Sequence, residues 1–206
     1  MLDLISKAGW PIYPLLLCSI IAVALMIERA IVLRRSKILP PSLLADVISL
    51  YKNKGVTNDA IDKLEGNSPL GRVLAAGLRN DKSSRYIMKE AIEEAGGAVT
   101  HDMGRFIGAL GTIASIAPLM GLFGTVVGMI EIFGAQSPTG GGSGSNPAQL
   151  AHGISVALYN TGFGLIIAIP AMIAYRFFRS HVDSLVVDME QAAIKLIDIA
   201  HGERRA

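Results

Sequence analysis

Three stretches of this chain carry no charge, and their lengths limit what it can fold into. Between Lys7 and Glu28 lie 20 residues without Asp, Glu, Lys or Arg, and between Arg105 and Glu131 lie 25 more. About 20 helical residues cross the hydrocarbon of a bilayer. The third gap, between Glu131 and Arg176, is 44 residues long but contains "AQSPTGGGSGSNPAQ". Pro, Gly and Ser at that density make a polar connection, not a helix. The remainder, from about His152 to Tyr175, is long enough to span once. With 51% of its 206 residues hydrophobic, the chain reads as an all-α membrane protein. It has three transmembrane helices, long cytoplasmic helical extensions and a small cytoplasmic helical insert.

Lys and Arg collect on cytoplasmic flanks. Arg29, Arg34, Arg35 and Lys37 follow the first span, Lys82, Arg85, Lys89 and Arg105 precede the second, and Arg176 and Arg179 follow the third. The loop between spans two and three has no Lys or Arg. This predicts a periplasmic N-terminus and a cytoplasmic C-terminus. The divisions are 1–35 for the N-terminal segment and span one, 36–104 for the helical insert, and 105–134 for span two. Then come 135–151 for the outer Gly/Ser loop, 152–178 for span three, and 179–206 for the C-terminal helix and tail. In the insert, Leu43, Leu44, Val47, Ile48 and Tyr51 share one helical face that closes near Gly55, Thr57 or Asn58 caps a short helix to Leu64, and Pro69 opens another. "SSRYIMKEAIEEA" starts a long helix expected to run on into span two. Val182, Leu185, Val186, Met189, Ala193, Leu196 and Ile197 make the C-terminal helix amphipathic.

The charge pattern also excludes some classes. The first apolar run is longer than a signal-peptide core, and basic residues follow it, so it reads as retained. Cys18 is the only cysteine, which leaves no disulfide framework and no Cys-based metal site. Histidines at 101, 152, 181 and 201 lack metal spacing. There is no basic run with interleaved aromatics for nucleic acid, and no nucleophile–base arrangement or phosphate loop for an enzyme. No cofactor is expected. Glu28 and Arg29 are expected to pair locally at the inner interface, and Glu131 to lie at the outer end of span two.

The spans are not uniform. At 100° per residue, Ala114, Ala117, Gly121, Gly124, Thr125 and Gly128 share one face of span two. Leu119, Leu122, Phe123, Val126, Met129, Ile130 and Phe133 share the other. On span three, Gly153, Ala157, Asn160, Thr161, Gly164, Ala168 and Ala171 form the small face. Small stripes let helix backbones approach closely in lipid, or they line a narrow lumen. Thr can return its hydroxyl to its own helix. An unpaired Asn amide in hydrocarbon costs several kcal/mol, so Asn160 must face protein or water.

"APLMGLFGTVVGMIEIF" (117–133) and "GISVALYNTGFGLIIAIPAMIAYRFF" (153–178) resemble the second and third spans of the MotA/TolQ/ExbB proton-channel family. "GWPIYPLLLCSIIAVALMIERAIVLRR" (9–35) is similar to its first span, and three spans with a short insert match the ExbB/TolQ branch. The resemblance implies a stator subunit of the bacterial cytoplasmic membrane that forms a homopentamer. It implies a single-span partner of the ExbD/TolR type with an intramembrane Asp, and a TonB-like client reached through that partner. Thr125 and Thr161 match the pore threonines of the family, and Asn160 would complete a polar ring. Gly121, Gly124, Gly128 and Gly164 would keep a lumen open to the partner helix. Relatives commonly read Gly-Ile-x-Glu-Ala-Leu where this chain reads "GISVAL", so the glutamate's place is Val156. The carboxylate that titrates is then expected on the partner. A TolQ-like envelope role stands beside ExbB-like transport energisation. A non-conducting scaffold would keep the small stripes and need no polar ring.

Overall fold

The computed structural model describes residues 9–53, 56–134 and 147–202. The tip of the Gly/Ser loop, Gly55 and the residues after Gly202 lie outside them. Every regular element among the described residues is helical: α1 (Ile12–Val32), α2 (Arg35–Ile38), α3 (Leu43–Lys52), α4 (Asn58–Asn67), α5 (Pro69–Arg79), α6 (Arg85–Gly104), α7 (Ile107–Gly134) and α8 (Pro147–Ala200). Three helical stretches are long and apolar enough to cross a membrane. They are Ile12–Val32, a window within Arg85–Glu131, and one within Gly153–Ala200. The chain divides into two compact units, Met1–Glu28 with Ile107–Arg176, and Arg29–Phe106 with Phe177–Ala206.

The first unit is inside-out by the standards of a soluble bundle. Leu119, Leu122, Phe123, Val126, Ile130 and Phe133 of α7 are exposed, as are Leu158, Ile166 and Ile173 of α8, while the small face of each helix is buried. Apolar surface turned outward calls for lipid or a neighbouring helix. The small faces meet. A Cβ on Gly121 would lie 2.8 Å from the Asn160 carbonyl oxygen, one on Gly124 2.6 Å from Asn160 Cβ, and one on Gly164 2.7 Å from the Ala117 carbonyl oxygen. Real side chains do not come that close, so these three positions must be glycine for the helices to pack as they do. Leu15 of α1, fully buried, closes on Ala117, Ile167 and Ala168. Before α1, Gly9 adopts φ +71°, a conformation that favours glycine. The turn it makes sets Trp10 edge-on to Phe123, with ring centroids 6.0 Å apart. Both α7 and α8 run on through their prolines, Pro118 and Pro170. Neighbouring helices make such residues tolerable in a membrane.

The second unit is a helical bundle with local reasons for each turn. Thr57 caps α4 by accepting from the Ala60 amide, so the cap is Thr57, and the helix continues to Asn67. Ser68 accepts from the Gly71 amide, with Pro69 in the first turn of α5, where a missing N–H costs nothing. Leu70, Val73, Leu74 and Leu78 are buried. A side chain at Gly71 would collide with the Leu64 carbonyl, which locks α4 against α5. Arg79 pairs with Asp62 and Glu65 across the same junction. The hydrogen bond it donates to Asp62, then the charge of Glu65, hold its guanidinium above its ordinary pKa. Further ion pairs join Arg35 to Asp188 and Arg85 to Asp198.

The helix begun at Arg85 runs on into span two as expected, in a helical stretch Arg85–Glu131 of 47 residues, with one turn at Arg105–Phe106 between α6 and α7. The Arg105 amide reaches back three residues to the Asp102 carbonyl, a tighter turn than an α-helix makes. Arg29 lies beside this turn. Read from the sequence as an interfacial residue with a local partner, it is 4% exposed and donates from Nη1 to the Met103 carbonyl at 3.3 Å. Its guanidinium also lies 5.0 Å from the centre of the Phe106 ring, and Arg105 lies 5.2 Å from the same ring. A cation at the last carbonyls of α6 complements the helix dipole.

Two predictions test this packing by thermal unfolding in detergent. Arg29→Met removes the cation from the buried Met103 carbonyl and is expected to cost about 1–3 kcal/mol, whereas Arg34→Met, at an exposed position, stays within about 0.5 kcal/mol. Gly124→Ala is expected to cost about 1–3 kcal/mol through overpacking against Asn160. Gly162→Ala, where an added Cβ meets nothing within 4 Å, is expected to gain about 0.5–1 kcal/mol of helix stability.

Candidate functional site

The polar residues of the two spans gather around the α7/α8 seam. Asn160 has no exposed surface, and its Nδ2 donates to the Val156 carbonyl at 3.0 Å, one turn back on its own helix. Its side chain fills the notch that Gly124 leaves on α7. The amide therefore faces protein, the first of the two alternatives posed by the sequence. Within the single chain the α7/α8 pair covers Asn160 completely. Thr161, next to it, is partly exposed and donates across the seam to the Gly121 carbonyl at 3.4 Å. Thr125 is partly exposed on α7 and donates to the Leu122 carbonyl of its own helix at 2.7 Å. It is the polar residue in an open apolar depression of about 500 Å3 that it lines with Val126, Met129, Ile130 and Phe133.

Both threonine hydroxyls thus have their hydrogen committed to a backbone carbonyl. What each presents outward is lone pairs. While its hydrogen stays on the carbonyl, such a group accepts a hydrogen bond from a protonated acid or from water. Its preference is for the neutral form of any acid brought to it.

Of the small residues, Gly121, Gly124 and Gly164 touch the opposite backbone or Asn160. Gly128 sits 3.4 Å (from its would-be Cβ) from the Gly153 carbonyl oxygen and 3.6 Å from Ala157 Cβ. Ala117 and Ala168 are buried in the core with Leu15. Close helix packing, not an open lumen, is what these glycines do within one chain. Val156 is 7% exposed, with one methyl 3.9 Å from where a Cβ on Gly9 would be. Glu131 is exposed near the end of α7. Among the described residues no three His, Cys, Asp or Glu side chains lie together as metal ligands would.

Sequence reasoning missed a second polar group. Gly108, Gly111, Thr112 and Ser115 of α7, with Met172 and Tyr175 of α8, line a depression of about 440 Å3. The Tyr175 ring packs on Gly111, 3.0 Å from where its Cβ would be. The signal was a hydroxyl pair three residues apart on span two, off the small stripe that drew the eye.

Residues 65–191 match the MotA/TolQ/ExbB proton channel family. The biopolymer transport protein designated ExbB-like 3 of Synechocystis is 34% identical over 169 residues, covering 81% of this chain and 79% of the relative. Biopolymer transport protein exbB1 of Vibrio cholerae is 28% identical over 203 residues, covering 90% and 82%. The Tol-Pal system protein TolQ of Haemophilus influenzae is 36% identical over 94 residues, covering 46% and 40%. With three apolar spans and a match over more than half its length, this chain is a membrane protein that belongs to the MotA/TolQ/ExbB proton channel family.

Proposed function

We propose that the chain is the channel-forming subunit of a proton-driven motor in the bacterial cytoplasmic membrane, with its N-terminus periplasmic and its C-terminus cytoplasmic. In this reading it assembles as a homopentamer. Spans two and three of each subunit surround the single helix of an ExbD/TolR-type partner that bears an intramembrane Asp. The observation that carries the reading is Thr125. It is the hydroxyl in an apolar depression on the outer surface of α7, in a sequence that matches a proton-channel family.

The chemistry follows from the lone pairs. Thr125 and Thr161 accept a hydrogen bond from the partner's carboxyl group when it is protonated, and so stabilise the neutral acid as it crosses a medium where a bare carboxylate is costly. Asn160 does not carry the proton, because an amide does not titrate at ordinary pH. Its part is to hold α8 against Gly124 and so fix the direction of Thr161. Val156 leaves the ring without a carboxylate of its own, which puts the titrating group on the partner alone. Proton flow then moves the partner helix relative to the ring and does work on an envelope client of the TonB type. We favour transport energisation over a TolQ-like role because the two ExbB-type relatives named above cover 81% and 90% of the chain and the TolQ relative covers 46%.

Thr161→Val replaces the hydroxyl with a methyl of similar size. In vesicles holding the complex, proton uptake should fall at least about tenfold, a barrier increase of about 1.4 kcal/mol, while the assembly keeps its size on gel filtration. Undiminished uptake in that variant would remove the threonine from the ion path.

A further inference from the structure

Thr112 and Ser115 are exposed hydroxyls on a span that is otherwise apolar outward. Each donates to its own helix, Thr112 to the Gly108 carbonyl at 3.1 Å and Ser115 to the Gly111 carbonyl at 2.9 Å. Their hydrogens are therefore committed and, like Thr125, they offer acceptors to whatever fills the depression of about 440 Å3 beside them. No charged residue lines that depression. Gly108 adds no side chain, and a Cβ there would meet nothing within 4 Å, so the space is wide enough for several waters. Its position is not arbitrary. Ser115 lies ten residues from Thr125, about 15 Å along the helix. Tyr175 lies fourteen residues from Thr161, within about 40° of it on the wheel. Thr161 meets α7 at Gly121 and Tyr175 meets it at Gly111. On α8 the polar positions thus continue down the same seam, while Ser115 and Thr112 lie beside it on α7, about 80° and 140° round the helix from Thr125.

We infer that this depression is the inner outlet of the ion path, a water-filled vestibule in which Thr112, Ser115 and Tyr175 order the waters that take up protons released at Thr125 and Thr161. The inference rests on the function proposed above. A row of acceptors with no fixed charge suits hydronium and hydrogen-bonded water, orienting their hydrogens inward without trapping the cation. The proton passes from the partner's carboxyl group to water and leaves along the water file, and no bond to Thr112, Ser115 or Tyr175 is made or broken.

The test is water access. In a Cys18→Ala background, Thr112→Cys and Ser115→Cys are made in the assembled complex in inside-out vesicles. They are treated with a cationic, membrane-impermeant methanethiosulfonate, and proton uptake is followed. Ile20→Cys on the outward apolar face of α1, 68% exposed, is the lipid control. Arg34→Cys is the water control. The outlet predicts that Thr112→Cys and Ser115→Cys label like Arg34→Cys, that Ile20→Cys does not label, and that labelling at 115 abolishes uptake. Labelling at 112 and 115 by a lipid-soluble maleimide only would place them in lipid and overturn the inference. Labelling by neither reagent would place them in a packed contact and overturn it equally. Uptake in the Cys18→Ala parent is read separately. Its presence with no labelling at 115 rejects the outlet and spares the channel, and its absence rejects the channel itself.

Discussion

The close approach of α7 and α8 is the constraint on which the rest depends. Glycines 121, 124 and 164 bring backbone against backbone, and Asn160 fills the one notch that remains. In lipid no hydrophobic force pushes two apolar helices together, so packing and internal hydrogen bonds must hold them. The glycines permit the packing, and the Thr161 hydroxyl contributes a hydrogen bond across it. Because the seam is tight, the direction of each neighbouring side chain is set. Thr161 and Thr125 are half out of it, and Asn160 is wholly inside. A looser pair of helices would let the hydroxyls turn, and a site that must meet a single moving carboxyl group cannot tolerate that.

The same economy runs through the polar residues of the spans. Thr112, Ser115, Thr125 and Ser155 all donate to carbonyls of their own helix. A hydroxyl bound this way costs little in hydrocarbon and still offers lone pairs outward. In the proposed reading this keeps the ion-path surface neutral and accepting. This is consistent with a subunit that lacks a carboxylate at position 156 and leaves the charge change to another protein.

Much of this was legible in the sequence. The lengths of the charge-free gaps give three spans, and the alternation of small and large residues on α7 and α8 gives their inner and outer faces. Helical periodicity gives the faces of the insert, and Ser68–Pro69 marks a helix start. What was not legible depended on distance. A glycine stripe has the same pattern whether a helix or a lumen faces it, and only the Asn160–Gly124 contact decides between them within the chain. Arg29 has the composition of an interfacial cation, yet its burial depends on Met103, 74 residues away. Thr112 and Ser115 escaped notice because two hydroxyls on a span are unremarkable until Tyr175 is placed beside them.

The central claim is that this subunit conducts only through a partner's carboxyl group. Its most direct test is proton uptake by vesicles holding the chain alone, the chain with a single-span partner, and the chain with that partner's intramembrane Asp changed to Asn. The account predicts uptake in the second case and background in the first and third. Uptake by the chain alone, or uptake that survives the change to Asn, would contradict it.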